Sequence, residues 1–258
     1  MSRVWPWVSF LGSVLFIGWT AKSFVGYHTF SLEEAMEDIK QAPLPLNDVG
    51  LNWFKNTLLV RSYGEGKDNT QMHMKITLFL AIALFLQLWK RTRGLGGKGK
   101  PFHTWLGRIS ILVALGSIPH FTRLVFNFPH RTTAYAELPV IFMIPFFGIK
   151  GWSEIRNGDW RSHRASMIMF SACFYYFGVQ RLMISLIGVI HHEKSPFAKH
   201  LPLGPWSQWN EDDYNEMFGI GICAAFVVTF SVATYNAYIG PNSKAAADSK
   251  AVQKQKQK

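Results

Sequence analysis

The chain has 258 residues, 48% of them hydrophobic and 15% aromatic, with a formal net charge of +11. Its apolar residues gather in long runs separated by charged stretches, the pattern of membrane spans rather than of a soluble core. The cations flank those runs, so membrane topology accounts for the charge and no nucleic-acid partner is called for.

Taken in chain order, the pattern predicts an all-α, polytopic membrane helix bundle with about six transmembrane helices. The spans are expected at about Trp5–Gly26, Met72–Trp89, Thr104–Phe126, Ala134–Ile149, Ala165–Ile190 and Met217–Ile239. Each is near the roughly 20 residues that cross about 30 Å of hydrocarbon. Residues 1–26 read as an uncleaved signal-anchor, because the basic start is minimal and Thr20-Ala21 is a poor cleavage site. Residues 27–71 form a non-cytoplasmic segment in which Ser31-Leu-Glu-Glu34 is a capping box opening a short amphipathic helix, ended by Pro43 and Pro45. Residues 72–190 make a four-helix membrane core, and 191–214 a non-cytoplasmic loop. The sixth helix occupies 215–240, and 241–258 form a basic disordered tail. The fourth span contains Pro139 and Pro145, which a membrane helix tolerates as kinks when neighbours satisfy the freed carbonyls.

Positive charge orients the bundle. Lys90, Arg91, Arg93, Lys98 and Lys100 lie between spans two and three, and Lys150, Arg156, Arg161 and Arg164 between four and five. With the lysines of the tail, these place both termini in the cytoplasm. The acidic stretches Glu33–Asp38 and Glu211–Asp213 fall on the opposite side. Cys173 and Cys223 lie inside apolar runs and read as small hydrophobes rather than as a disulfide or thiolate site. There is no zinc-type cysteine spacing, and Gly94-Leu-Gly-Gly-Lys-Gly-Lys100 lacks the strand–helix context of a phosphate loop. Trp5, Trp7, Trp89, Trp105, Trp152 and Trp160 form an interfacial belt.

The chemistry-bearing residues sort into two layers. His103 and His163 fall at the cytoplasmic mouths of spans three and five; His73 opens span two from the outer side, where His120, Arg123, Glu137 and Arg181 also gather. His103 and His120 are 17 residues apart in one helix, roughly 25 Å, so they cannot share a metal. Arg181 lies too deep for easy snorkelling and needs Glu137, backbone carbonyls or an anionic ligand beside it. Two facing imidazoles with arginines toward the aqueous side are also a haem pattern, with His73 and His120 as an outer pair and His103 and His163 as an inner pair. The plainer reading makes His103 and His163 interfacial residues bonded to water or a carbonyl. His191 and His192 read as solvated loop residues, as do His130 and His200, and nothing singles out His28.

The segment from His73 through Leu-Gln-Leu-Trp89 to His103-Thr-Trp-Leu-Gly-Arg108 resembles a family of multi-pass membrane proteins, domain of unknown function 2306. Ile155-Arg-Asn-Gly-Asp159, His163-Arg164, Met167 and Arg181 extend the resemblance, which covers about Gln71 to Ile190. Thr104 and Phe170 depart from it, standing where the family often has basic residues. The family supplies no activity. A looser similarity, in helix number and in histidines near both faces, is to two-haem transmembrane cytochromes of the b561 type.

Three functions compete. The first is a protein binding haem b at His73, His120, His103 and His163, with Arg123 and Arg181 for the propionates, and passing electrons across the membrane to a redox partner. The second is a non-redox polytopic protein, a small transporter or an accessory subunit of a membrane complex, with Arg181 and Glu137 as a structural polar pair. The third, a membrane enzyme using His163 as a proton carrier on a lipid or quinone, lacks a nucleophile or paired-carboxylate signature. The ending Lys254-Gln-Lys-Gln-Lys258 resembles an endoplasmic-reticulum retrieval signal but reads better as a solvated basic tail; that membrane and the plasma membrane both stay open.

Overall fold

The computed structural model describes residues 14, 17–18, 21–22, 31–41, 46–59, 67–88, 101–126, 131–192, 194–201 and 203–239. All but five residues of the expected first span, the basic loop at 89–100 and the tail after Ile239 lie outside them. The described residues form helices and short connections, with no strand among them. In chain order the helices are α1 (Leu32–Gln41), α2 (Asp48–Leu58), α3 (Lys67–Leu88), α4 (Pro101–Gly116), α5 (Ile118–Phe126), α6 (Arg131–Arg156), α7 (Trp160–Ile190) and α8 (Glu211–Thr234). A π-turn, Tyr235–Ile239, continues α8.

Four of these are long and apolar enough to cross a membrane: Lys67–Gln87, Glu137–Arg156, Trp160–Ile190 and Glu211–Ile239. The pair α4 and α5, bent by 40°, makes a fifth if it is one span. That bend corrects the expectation of one continuous helix from Thr104 to Phe126. Pro119 has no N–H to donate and its ring crowds the carbonyl four residues back, so the ladder breaks at Ser117. Ser117 Oγ donates to the Ala114 carbonyl at 2.7 Å, which satisfies one acceptor at the break. Pro139 and Pro145 do lie inside an unbroken helix, α6, as expected.

Helix boundaries follow their caps. The Ser31 capping box forms: Ser31 N donates to Glu34 Oε2 at 2.7 Å and Glu34 N to Ser31 Oγ at 3.2 Å. Asp159 starts α7 about one turn before the expected span, accepting Ser162 N at 3.0 Å. Hydrogen bonding from Ser162 holds the Asp159 carboxyl below its ordinary range. Asn210 and Asp213 make a second capping box, so Glu211, Asp212 and Asp213 are the first turn of α8 and not loop. Their charge complements the positive end of the helix dipole. The connection from α7 to α8 is accordingly shorter than 191–214 and holds two 3₁₀ turns, Ala198–His200 and Trp206–Gln208.

Helix α7 is the centre of the bundle, packed along α6 and α8, while α3 pairs with α4 and α5 with α6. Its buried face carries Phe170, Cys173, Phe174 and Tyr176, none with measurable exposure. Leu182, Leu186 and Val189 on its other side are exposed. Apolar residues both inside and outside are compatible with a helix surrounded by lipid; Leu112, Phe142, Phe146 and Val227 are exposed in the same way on α4, α6 and α8. Gly148 lets three helices meet: a Cβ there would lie 3.3 Å from Phe170 of α7 and 3.5 Å from Ile111 of α4.

Candidate functional site

Five helices converge on one depth. His73 lies six residues into α3, Glu137 six into α6, Phe218 seven into α8, and Arg181 nine before the end of α7. These offsets put them about 9–14 Å below the helix ends on one side of the bundle, the side expected to be the outer one. With Phe121, Leu124 and Val125 of α5 they line one cavity of about 50 Å³, room for roughly three or four waters. Glu137 is 8% exposed. It accepts from Gln180 Nε2 at 3.4 Å, and Arg181 stands with its guanidinium carbon 5.9 Å from the Phe218 ring. Arg181 and Glu137, expected as a pair, are thus brought to the walls of one cavity. Gln180 and Tyr176, fully buried neighbours, escape a reading that looks only at charges and histidines.

The outer histidines part company. His73 lines the cavity and packs its ring edge against Phe121, centroids 5.1 Å apart. His120 turns to α3, where its Nδ1 meets Asn69 Oδ1 at 2.9 Å and its carbonyl accepts Asn69 Nδ2 at 3.4 Å. Arg123 is exposed in the last turn of α5. Nε2 of His120 is left as the nitrogen that would ligate iron. A porphyrin between His73 and His120 would need far more than the space beside His73.

At the opposite end of the bundle, the end expected to face the cytoplasm, His163 Nδ1 donates to the Gly151 carbonyl of α6 at 2.8 Å, the plainer of its two expected roles. The backbone carbonyl of His103 accepts Gln87 Nε2 of α3 at 2.7 Å. The inner histidines therefore tie to different neighbours, α6 and α3. Trp105 and Trp160 are exposed there, as an interfacial belt requires, with the Arg108 guanidinium carbon 5.6 Å from the Trp105 ring centroid.

No protein-family model, curated protein or solved structure matches the chain.

The site must be read from its own atoms, and its roof is the part sequence reasoning missed. Asn47 caps α2 and fastens it to the bundle: Oδ1 accepts Gly50 N at 2.8 Å and Tyr214 OH at 3.0 Å. Its Nδ2 is within 2.9–3.3 Å of the carbonyls of Trp209, Trp206 and Ser207. Trp53 Nε1 donates to Asn215 Oδ1 at 2.6 Å, and the Trp53 ring lies on Tyr214 and Phe218. Because Phe218 also lines the cavity, α2 packs against one of its walls. Gly50 is required there: a Cβ would fall 2.5 Å from the Tyr214 ring. His191, expected in solvent, is buried in the same roof, its Nδ1 2.7 Å from the Gly204 carbonyl and its ring 5.2 Å from Trp209. The correction is tertiary, since the segment 203–209 folds back over it. Among the described residues, no three His, Cys, Asp or Glu side chains gather to hold a metal ion.

Proposed function

We propose that the protein is a six-span membrane protein with both termini in the cytoplasm, of the kind that the resemblance to domain of unknown function 2306 implies. In this reading it is a non-redox carrier, a small transporter whose outer-half cavity binds a small polar solute. The observation that carries the proposal is the meeting of Glu137, Arg181 and His73, from three helices, around one cavity inside a largely apolar bundle. Ionisable groups at membrane depth cost several kcal/mol each by insertion scales, and they persist where they serve a ligand, an ion path or one another. Exposed Lys150, Arg156, Arg161 and Arg164 at one end of the bundle, and exposed Glu211 and Asp212 at the other, support the orientation.

The haem reading draws its support from His73 and His120 standing on adjacent helices, and one spectrum separates the two. Detergent-purified protein, reduced with dithionite, is expected to lack the sharp visible bands of low-spin haem b. Their presence in a sample with stoichiometric iron would replace the carrier reading with the electron-transfer one.

A further inference from the structure

We propose that the buried face of α7 carries a proton path from the cytoplasmic mouth at Glu154 and His163 to the outer cavity at Glu137. Ser166, Tyr176 and Gln180 of α7 and Thr229 of α8 are all more than nine-tenths buried. Among the described residues, nothing hydrogen-bonds to Ser166 Oγ, Tyr176 OH, Thr229 Oγ1 or Gln180 Oε1. Single orphans of this kind are rare in native proteins, and buried water is their usual partner. Four of them in the interior of one helix pair are a row.

The row is continuous in direction. Positions 166, 173, 176 and 180 recur at helical spacing on one face of α7, against α6 at Ser166 and Gln180 and against α8 at Tyr176. Ser166 to Gln180 covers 14 residues, about 21 Å of a roughly 30 Å hydrocarbon layer. The longest interval, between Ser166 and Tyr176, is narrowed from α8. Thr234 Oγ1 lies 3.9 Å from Met169 Sδ and the Phe226 ring 6.3 Å from Tyr176. Thr229, between them in sequence, therefore falls at about the level of Cys173 along the helix pair.

One end of the row meets a carboxylate of α6, and the other comes within about a turn of one. At the cytoplasmic end, Ser166 Cβ is 3.4 Å from where a Cβ on Gly151 would stand, and the Gly151 carbonyl holds His163. Glu154 is one turn further on, with Oε2 buried and Oε1 3.9 Å from Lys150 Nζ. At the outer end, Gln180 donates to Glu137. Around Glu137 stand His73 from α3 and Arg181 and Tyr176 from α7, while α5 and α8 offer only Phe121, Leu124, Val125 and Phe218.

A proton taken up at Glu154 or His163 moves along water and hydroxyl oxygens, each accepting one proton as it releases another. Glu137 takes the last of them and hands it through His73 to the outer water. Every hydroxyl regains its own proton count, and the net change is one proton, with its charge, moved across the bundle. The path rests on the proposed exposure of the cavity to the outer side, and not on which solute the cavity binds.

The test uses the full chain in liposomes containing a pH-reporting dye, with a potassium diffusion potential set by valinomycin. Proton flux several-fold above protein-free vesicles is expected, and its return to that baseline in Tyr176→Phe and in Thr229→Val. Both substitutions keep shape and remove only the hydroxyl; if one elutes as aggregate, the other decides. Leu182→Ala, exposed on α7 away from the row, is expected to conduct like the wild type. Wild-type flux no faster than empty vesicles, or undiminished flux in a folded hydroxyl variant, overturns the path. Thiol labelling of His73→Cys from the outer side, measured in parallel, reports the cavity separately. Labelling without flux removes the path alone, and failure of both removes the cavity reading with it.

Discussion

Replacing Asn47 with alanine should unfasten the roof. The side chain caps α2 through Gly50 N at 2.8 Å, accepts Tyr214 OH at 3.0 Å, and reaches the Trp209 carbonyl at 2.9 Å. Loss of the cap costs about 1 kcal/mol, and two further part-buried hydrogen bonds about 1 kcal/mol each. The expected loss is therefore about 3 kcal/mol. Asn47→Asp keeps both bonds accepted by Oδ1 but sets a carboxylate oxygen against the Trp209, Trp206 and Ser207 carbonyls, so it should lose more than the about 1 kcal/mol of the missing bond. Trp53, Trp206 and Trp209 surround the position, which makes tryptophan fluorescence during denaturant unfolding of the detergent-solubilised protein a direct readout. An Asn47→Ala loss below about 0.5 kcal/mol, the scale of an ordinary surface substitution, would refute the view that Asn47 holds α2 in place.

A double-mutant cycle on Arg181→Met and Glu137→Gln should show each single change costing about 3 kcal/mol or more, with the pair short of the sum by roughly 0.5–3 kcal/mol. Strict additivity would show that the two groups sharing the cavity do not act on each other. Asp159 should give α7 a pH-dependent start. Its carboxyl is held below the ordinary range by Ser162, so its contribution is complete above that range and is lost as pH falls through the lower folded value. The thermal stability gap between wild type and Asp159→Ala should thus be present at neutral pH and close in strong acid; a gap unchanged by acid would contradict the cap.

The long apolar runs were legible because hydrophobic length and flanking charge are local properties: α3, α6, α7 and α8 stand where they are expected. Capping at Ser31 was legible for the same reason. What escaped depends on distant partners. Asn69 fixes His120 across 51 residues of sequence and Asn47 meets Tyr214 across 167, and no spacing rule reaches so far. Helix α2 is short, and its apolar Trp53 and Phe54 gain their meaning only from α8. The break at Ser117 did have a signal, Pro119, which an apolar run of the right total length masked. At the site, His73, Glu137 and Arg181 could be named because charge in an apolar run is conspicuous. Tyr176, Gln180 and Thr229 could not, because uncharged polar residues are common in such runs and only burial without partners distinguishes them.

The central claim is that His73, Glu137 and Arg181 line a cavity in the outer half of a membrane bundle, reached from the non-cytoplasmic side. Labelling His73→Cys, in a background with Cys173→Ala and Cys223→Ala, by a membrane-impermeant thiol reagent tests it most directly. The account predicts modification when the reagent is added to the non-cytoplasmic side of sealed vesicles, and faster modification once Asn47→Ala loosens the roof. Modification only from the cytoplasmic side, or from neither side in a folded protein, would contradict it.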